Sequence, residues 1–156
     1  MIHSAGLLLY RLDRDEVEVL IAHMGGPYWS GKEAGAWSIP KGEYDPDAEA
    51  AQDAAVREFR EELGIDPPPP PYAEIGTFPY SSGKRVTVFV ADGSGVSLDD
   101  PVFGEFEMEW PPRSGKTQTF AEVDRVEWVP LEDARDRMVK GQRPALDALR
   151  TAIAAL

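Results

Sequence analysis

The 156-residue chain contains no cysteine. Disulfides, thiolate metal sites and cysteine nucleophiles are thereby excluded. A cysteine-free chain fits a reducing compartment, and the expected location is cytoplasmic. Histidine is scarce too. His3 and His23 lie far apart in sequence, so a zinc site built on them would have to recruit carboxylates. Both are read as strand-end residues. Long apolar runs are missing: Gly6–Tyr10 and Val86–Ala91 are the longest, far short of the ~20 residues of a membrane-spanning helix. Met1–Ala5 places no basic segment ahead of an apolar core, so it does not read as a signal peptide. Positive charge is also in short supply. Sixteen Lys and Arg face 28 Asp and Glu, for a net charge of -12. A protein that grips polymeric nucleic acid or an anionic membrane through non-specific contacts needs a basic footprint, and this one has none. The same excess weighs against an anionic small molecule, unless a cation stands between the two.

What the chain does have is ordinary globular material, with 42% hydrophobic and 28% charged residues. Its length suits one domain over residues 1–156. Ser4–Leu12 and Glu16–His23 read as a hairpin around Asp13-Arg14-Asp15. Met24–Gly35 is a Gly- and aromatic-rich loop, Ala36–Ile39 a short strand, and Lys41–Pro46 a turn-rich loop. Asp47–Leu63 reads as a helix with Asp47 as N-cap and Gly64 just past its end. The prolines Pro67–Pro71 read as a short polyproline spacer rather than a domain linker, because neither flank has a second core. Strands follow at Tyr72–Phe78, Lys84–Ala91, Phe103–Trp110 (by its alternation of apolar and acidic residues) and Val126–Val129. Asp92–Pro101 and Pro111–Thr119 read as loops, and Leu131–Val139 and Pro144–Leu156 as helices. Helices flanking a mixed sheet give an α/β layered fold.

The chemistry is concentrated in Pro40–Ile65. At about 100° per residue, Glu58 and Glu62 stand one turn apart on one helix face, and Glu61 lies within about 60° of Glu58. Ala51, Ala55, Phe59 and Leu63 form the adjacent apolar stripe. Three carboxylates this close repel one another, and near a helix C-terminus the macrodipole disfavours them further. Arg57, one turn before Glu61, cannot neutralise three. A hard divalent cation can, and oxygen ligands suit Mg²⁺, Mn²⁺ or Ca²⁺.

The segment resembles the Nudix box, the signature of hydrolases that cut nucleoside diphosphates linked to a further moiety X. That box runs Gly, five residues, Glu, seven residues, Arg-Glu, an apolar residue, any residue, Glu-Glu, any residue, Gly, apolar residue. Glu49, seven residues, then Arg57-Glu58-Phe59-Arg60-Glu61-Glu62-Leu63-Gly64-Ile65 match its second half at every defined position. Between Gly42 and Glu49 stand six residues instead of five. The extra one falls in the Tyr44–Ala48 turn, where it does not rotate the carboxylates. Glu122–Leu131 is similar to the late strand and helix start of many Nudix proteins. Trp37–Gly42 and Trp110–Gly115 resemble a bacterial subgroup of nucleoside triphosphate pyrophosphohydrolases.

The resemblance implies a Nudix-like α/β/α sandwich and an Mg²⁺-dependent hydrolase, with Mn²⁺ as the alternative ion. It implies Glu58 and Glu62 as the main metal ligands and Glu61 as a further ligand or the base. Arg57 orients a Glu, and Glu49 pairs with a backbone or Arg partner. The segment near Lys41 and Gly42 offers a carbonyl to the metal. A further Glu outside the box acts as base or ligand: Glu122 is the first candidate, with Glu105, Glu107 and Glu109 competing. Lys41 and Arg113 are candidates for substrate phosphates, and Lys32, Lys84, Arg85 and Lys116 also lie in or near loops. Tyr28, Trp29 and Trp110 are candidates to stack on a base. The expected partner is a small nucleotide carrying a diphosphate: a nucleoside triphosphate, a dinucleoside polyphosphate, a nucleotide sugar or a diphosphoinositol phosphate. Whether the chain forms a homodimer is open. Two other readings stand beside the enzyme, a non-catalytic nucleotide-sensing Nudix domain and a structural metal-binding helix.

Overall fold

The computed structural model describes residues 1–155. The last residue of the expected C-terminal helix, Leu156, lies outside them. Strand β1 (Ile2–Asp13) turns through Arg14 and Asp15, whose φ angles are 52° and 68°, into β2 (Glu16–Met24). Positive φ at both central residues matches the turn to the right-handed twist of its strands. β3 (Trp37–Ser38) and β4 (Lys41–Glu43) follow, then helix α1 (Ala51–Leu63), β5 (Ala73–Ser81) and β6 (Lys84–Asp92). β7 (Glu105–Glu109) and β8 (Thr117–Ala121) precede β9 (Val123–Pro130), α2 (Leu131–Arg137), a 3₁₀ turn at Lys140–Gln142 and α3 (Arg143–Ala154).

The main sheet is mixed and ordered β3-β2-β1-β6-β5, with β9 on β2 and β4 on β1. Among the described strands, β1 and β6 are the one pair that runs parallel. β1 bonds to β2 from Tyr10 to Asp13 and to β4 from Ser4 to Gly6, while β2 reaches β3 at Ala22 and His23. The two central strands therefore part company, and residues 37–43 fill the fork between them. β7 and β8 form a separate two-stranded ribbon.

Ser4 to Leu9 of β1 is buried without a break, as expected of a strand covered on both faces. Leu7, Leu9, Leu20 and Phe89 face α1 and meet Ala54, Ala55, Phe59 and Leu63. Leu8, Ile21, Val88 and Val129 face the other way and meet Ala134, Met138, Leu146 and Leu149. Two apolar layers thus enclose one sheet, and the fold is the expected α/β/α sandwich.

Several boundaries differ from the sequence expectations, each for a physical reason. α1 starts at Ala51, after Ala50 as N-cap, and not at Asp47. Asp45 holds a separate turn instead: its carboxylate accepts from Asp47 N–H at 2.9 Å, and its carbonyl accepts from Ala48 and Glu49 at 3.0 Å. Lys41–Glu43, expected in a loop, pairs with β1 because the fork leaves β1 an open edge. Thr117–Thr119, also expected in a loop, pairs with β7, and the strand expected over Phe103–Trp110 is confined to Glu105–Glu109. The first C-terminal helix stops at Arg137 because Met138 turns extended and bridges to Trp37. Pro67–Pro71 carries the chain from α1 to β5, whose strand joins the same sheet.

Candidate active site

Arg57 organises the outer part of α1. Its Nε and Nη2 donate to the two oxygens of Glu49, each at 2.9 Å, in the two-pronged geometry that a planar guanidinium allows. Its Nη1 donates to Glu58 at 2.8 Å and to Glu61 at 3.3 Å. The hydrogen bonds to Glu49 raise the Arg57 pKa and lower that of Glu49, so both are charged. Arg57 therefore fixes the direction of three box carboxylates at once, those of Glu49, Glu58 and Glu61. Glu58 is the more enclosed, its side chain 14% exposed against 57% for Glu61.

Glu62 points inward from the next position. One of its oxygens accepts the backbone N–H of Lys41 at 3.3 Å. Burial pushes its pKa up to about 8, against the opposing charge of Lys41. Burial also raises the pKa of Glu58, with Arg57 opposing it. The two acids thus sit where their charged forms are poorly solvated and lack full compensation.

The register of β4 decides which backbone atoms face this cluster. Leu7 N–H donates to Pro40 and Tyr44 N–H to His3, so in the antiparallel alternation Gly42 exchanges its bonds with Ala5. The Gly42 carbonyl is therefore turned toward β1. The main-chain groups of Lys41 and Glu43 are turned toward α1, where Lys41 N–H meets Glu62 and Arg57 lies 3.5 Å from the Glu43 carbonyl. What Gly42 contributes at this point is room. A Cβ built on it would fall 2.0 Å from the Glu58 carboxyl.

Glu122 reaches the cluster from the other side, just before β9. Gly104 links it to the helix through the main chain: Gly104 N–H donates to the Glu62 carbonyl at 3.2 Å, and Gly104 carbonyl accepts from Glu122 N–H at 2.8 Å. The side chain is largely exposed, but the desolvation it does suffer, together with the charge of Glu61, raises its pKa. Lys41, Glu62 and Glu122 line one cavity of about 290 Å³ with Ser38, Met24, Trp29 and Phe106. The lining combines two carboxylates and one ammonium with aromatic surface.

The remaining candidates stand elsewhere. Arg113, at the exposed tip of the β7–β8 ribbon with φ of 61°, does not line the cavity. Neither do Lys32, Lys84, Arg85 and Lys116. Glu105, Glu107 and Glu109 occupy the exposed face of β7, and the alternation that exposes them turns Phe106 to the cavity. Trp29 lines the cavity. Tyr28 and Trp110 form an edge-to-face pair with ring centroids 5.3 Å apart, away from the lining. Phe106 was recognisable in sequence only as an apolar position on a half-exposed strand. Ser38 carried no signal.

The carboxylates at this site offer oxygen donors. Glu62 has one backbone donor and no ion pair among the described residues, and the missing Cβ of Gly42 leaves Glu58 unobstructed. That donor set fits a hard divalent cation. Among the described residues, no group of three or more His, Asp or Glu side chains is closed around a single metal position.

Comparison with known proteins agrees with this fold. The family model described as the NUDIX domain matches residues 3–149. The chain belongs to the Nudix hydrolase family. A curated relative, an uncharacterized 17.7 kDa protein of Enterobacteria phage T4, is 36% identical over 87 residues, 55% of this chain and 56% of that protein. The Nudix chain thus aligns with little more than half of that relative's length. Among solved structures, the Ap4A hydrolase of C. elegans is similar with a TM-score of 0.71 at 23% identity, each chain covered in full. The NUDIX domain of Shewanella oneidensis NrtR, solved with ADP ribose, is similar with a TM-score of 0.63 at 13% identity, over 98% of this chain and 88% of that one. The MutT protein of Methanosarcina mazei Go1 gives 0.61 at 23%, over 97% and 94%. At these identities the structures establish the shared fold.

Proposed function

We propose that this Nudix hydrolase cleaves a diphosphate linkage in a nucleoside-diphosphate-X substrate, with Mg²⁺ as its ion and Mn²⁺ as a substitute. A nucleoside triphosphate or a dinucleoside polyphosphate fits the reading best. The observation that carries it is the convergence of Glu62, Glu122 and Lys41 on a cavity that Trp29 and Phe106 also line. Glu58 and Glu62 hold the ion, with Glu61 at the outer edge of the cluster and the carbonyl of Lys41 as the main-chain donor in place of Gly42. When bound, the ion neutralises diphosphate charge and makes water more acidic. Arg57 keeps Glu58 and Glu61 aimed. The Lys41 ammonium faces the phosphates. Glu122, whose pKa is raised by desolvation and by the charge of Glu61, takes the proton of the attacking water. Glu61, which accepts from Arg57 at 3.3 Å, is the second candidate for that role. The base of the nucleotide lies against Trp29 and Phe106.

The test is a substrate panel with Mg²⁺, reading phosphate and pyrophosphate release from nucleoside triphosphates, dinucleoside polyphosphates, nucleotide sugars, ADP-ribose and diphosphoinositol phosphates. The wild type turns over at least one, and Glu62→Gln lowers kcat about 100-fold, the scale of a lost acid–base or ligand group. Inert wild type, or a Glu62→Gln variant that matches it, sinks the proposal. Tight binding without turnover identifies a sensor domain instead.

A further inference from the structure

Gln142 is fully buried, yet it is polar and far in sequence from the box. Its Oε1 accepts the N–H of Ile39 at 2.8 Å, and its Nε2 donates to Ser38 Oγ at 2.9 Å. Ser38 Oγ in turn donates to the Ile39 carbonyl at 2.8 Å. The ring of bonds has only one sense. Ile39 N–H can only donate, which fixes the amide orientation and leaves the hydroxyl proton of Ser38 for the carbonyl. Val139 N–H adds a bond to the Trp37 carbonyl at 2.9 Å. Residues 37–39 are thus held from the face opposite α1, two residues before Lys41.

The same 3₁₀ turn reaches Lys41 by a second route. Gly141 packs against Tyr80 so closely that a Cβ on it would fall 2.4 Å from the Tyr80 Cα. The Tyr80 ring lies 5.3 Å from the Lys41 ammonium, and its hydroxyl bonds to Ser4 at 3.2 Å. One short turn therefore touches both the backbone that leads into Lys41 and the ring beneath its side chain.

We infer that Gln142 is a positioning residue: it holds the strand carrying Lys41 against α1, so that the Lys41 amide meets Glu62 and its carbonyl faces the ion. The inference rests on the proposed metal site for its functional consequence, but the placement of Lys41 can be measured without turnover. Gln142→Met keeps the length of the side chain and removes both hydrogen bonds. Ser38→Ala is the milder variant should Gln142→Met fail to fold. Amide hydrogen exchange is followed at Lys41 and, as a reference for global opening, at Val88 in the core. Each variant is also titrated with Mn²⁺ by calorimetry. Protection of the Lys41 amide falls about tenfold or more beyond any change at Val88, and Mn²⁺ affinity falls about tenfold, the usual cost of losing an outer-shell partner. Equal losses at Lys41 and Val88 would mark Gln142 as a merely structural residue and overturn the inference, as would unchanged Mn²⁺ affinity. If the wild type binds no Mn²⁺, the proposed hydrolase reading fails, while exchange at Lys41 still decides the placement.

Discussion

At the scale of single residues, Glu62 is where burial and charge oppose each other most strongly. Its pKa of about 8 means that, without metal, the folded protein keeps a proton that the unfolded chain has released above the ordinary value of 4.5. Stability from this source is complete below pH 4.5 and is lost as pH rises through about 8, with a slope of at most about 1.4 kcal/mol per pH unit. Glu58 and Glu122 are shifted in the same direction. The metal-free protein therefore melts at lower temperature at pH 8 than at pH 5, and Glu62→Gln flattens that dependence. Melting curves across this range in a chelator check it; a wild-type curve that rises toward pH 8, or a variant with the same slope, would contradict the account. The three box glutamates were legible in sequence because helical periodicity alone places them together. Which main-chain groups of β4 turn toward α1 was not, because that depends on which residue of β4 stands opposite Ala5, and pairing register across a fork leaves no local trace.

Among the elements, the end of α1 matters most to the site. Gly64 closes the helix with φ of 64°, and its N–H bonds to the Arg60 carbonyl at 2.8 Å. A Cβ there would fall 2.5 Å from the Val102 carbonyl oxygen. The segment after β6 runs across this end, where Val102 N–H donates to the Leu63 carbonyl at 2.8 Å and Gly104 N–H to that of Glu62. Gly64→Ala combines a disfavoured backbone conformation with a clash, and is expected to destabilise the protein by about 1–3 kcal/mol. Urea unfolding measures it; a change below about 0.5 kcal/mol would show that the helix end relaxes freely. Helix, strands and the glycine stop were readable from pattern. The start of α1 was not. Asp47 has the right chemistry for an N-cap, but Asp45 takes the turn, and Glu49 stays outside the helix with its carboxylate on the fork of Arg57. Likewise β8 lacks an apolar alternation, since Phe120 and Ala121 are its two apolar residues and stand side by side, and it becomes a strand because β7 lies beside it.

For the whole molecule, the net charge of -12 acts at long range while the site acts at short range. The chain is expected to show no binding to a single- or double-stranded oligonucleotide at about 50 mM salt, a condition that favours phosphate contacts. Fluorescence anisotropy checks this, and affinity that falls steeply with added salt would reveal a basic surface that the composition conceals. No helix among the described residues is long and apolar enough to cross a membrane. One connection described above reaches further. The distance between the carboxylates on α1 and Glu122 is set by two main-chain bonds through Gly104, and main-chain bonds survive most side-chain replacements. The side chains proposed to meet the rest of a ligand, Trp29 from the β2–β3 loop and Phe106 from the ribbon, make neither of those bonds. On the proposed reading, substitutions at those two positions redirect the enzyme to another X while the reacting groups keep their spacing, so lineages built on this architecture are free to diverge in diet without relearning their chemistry.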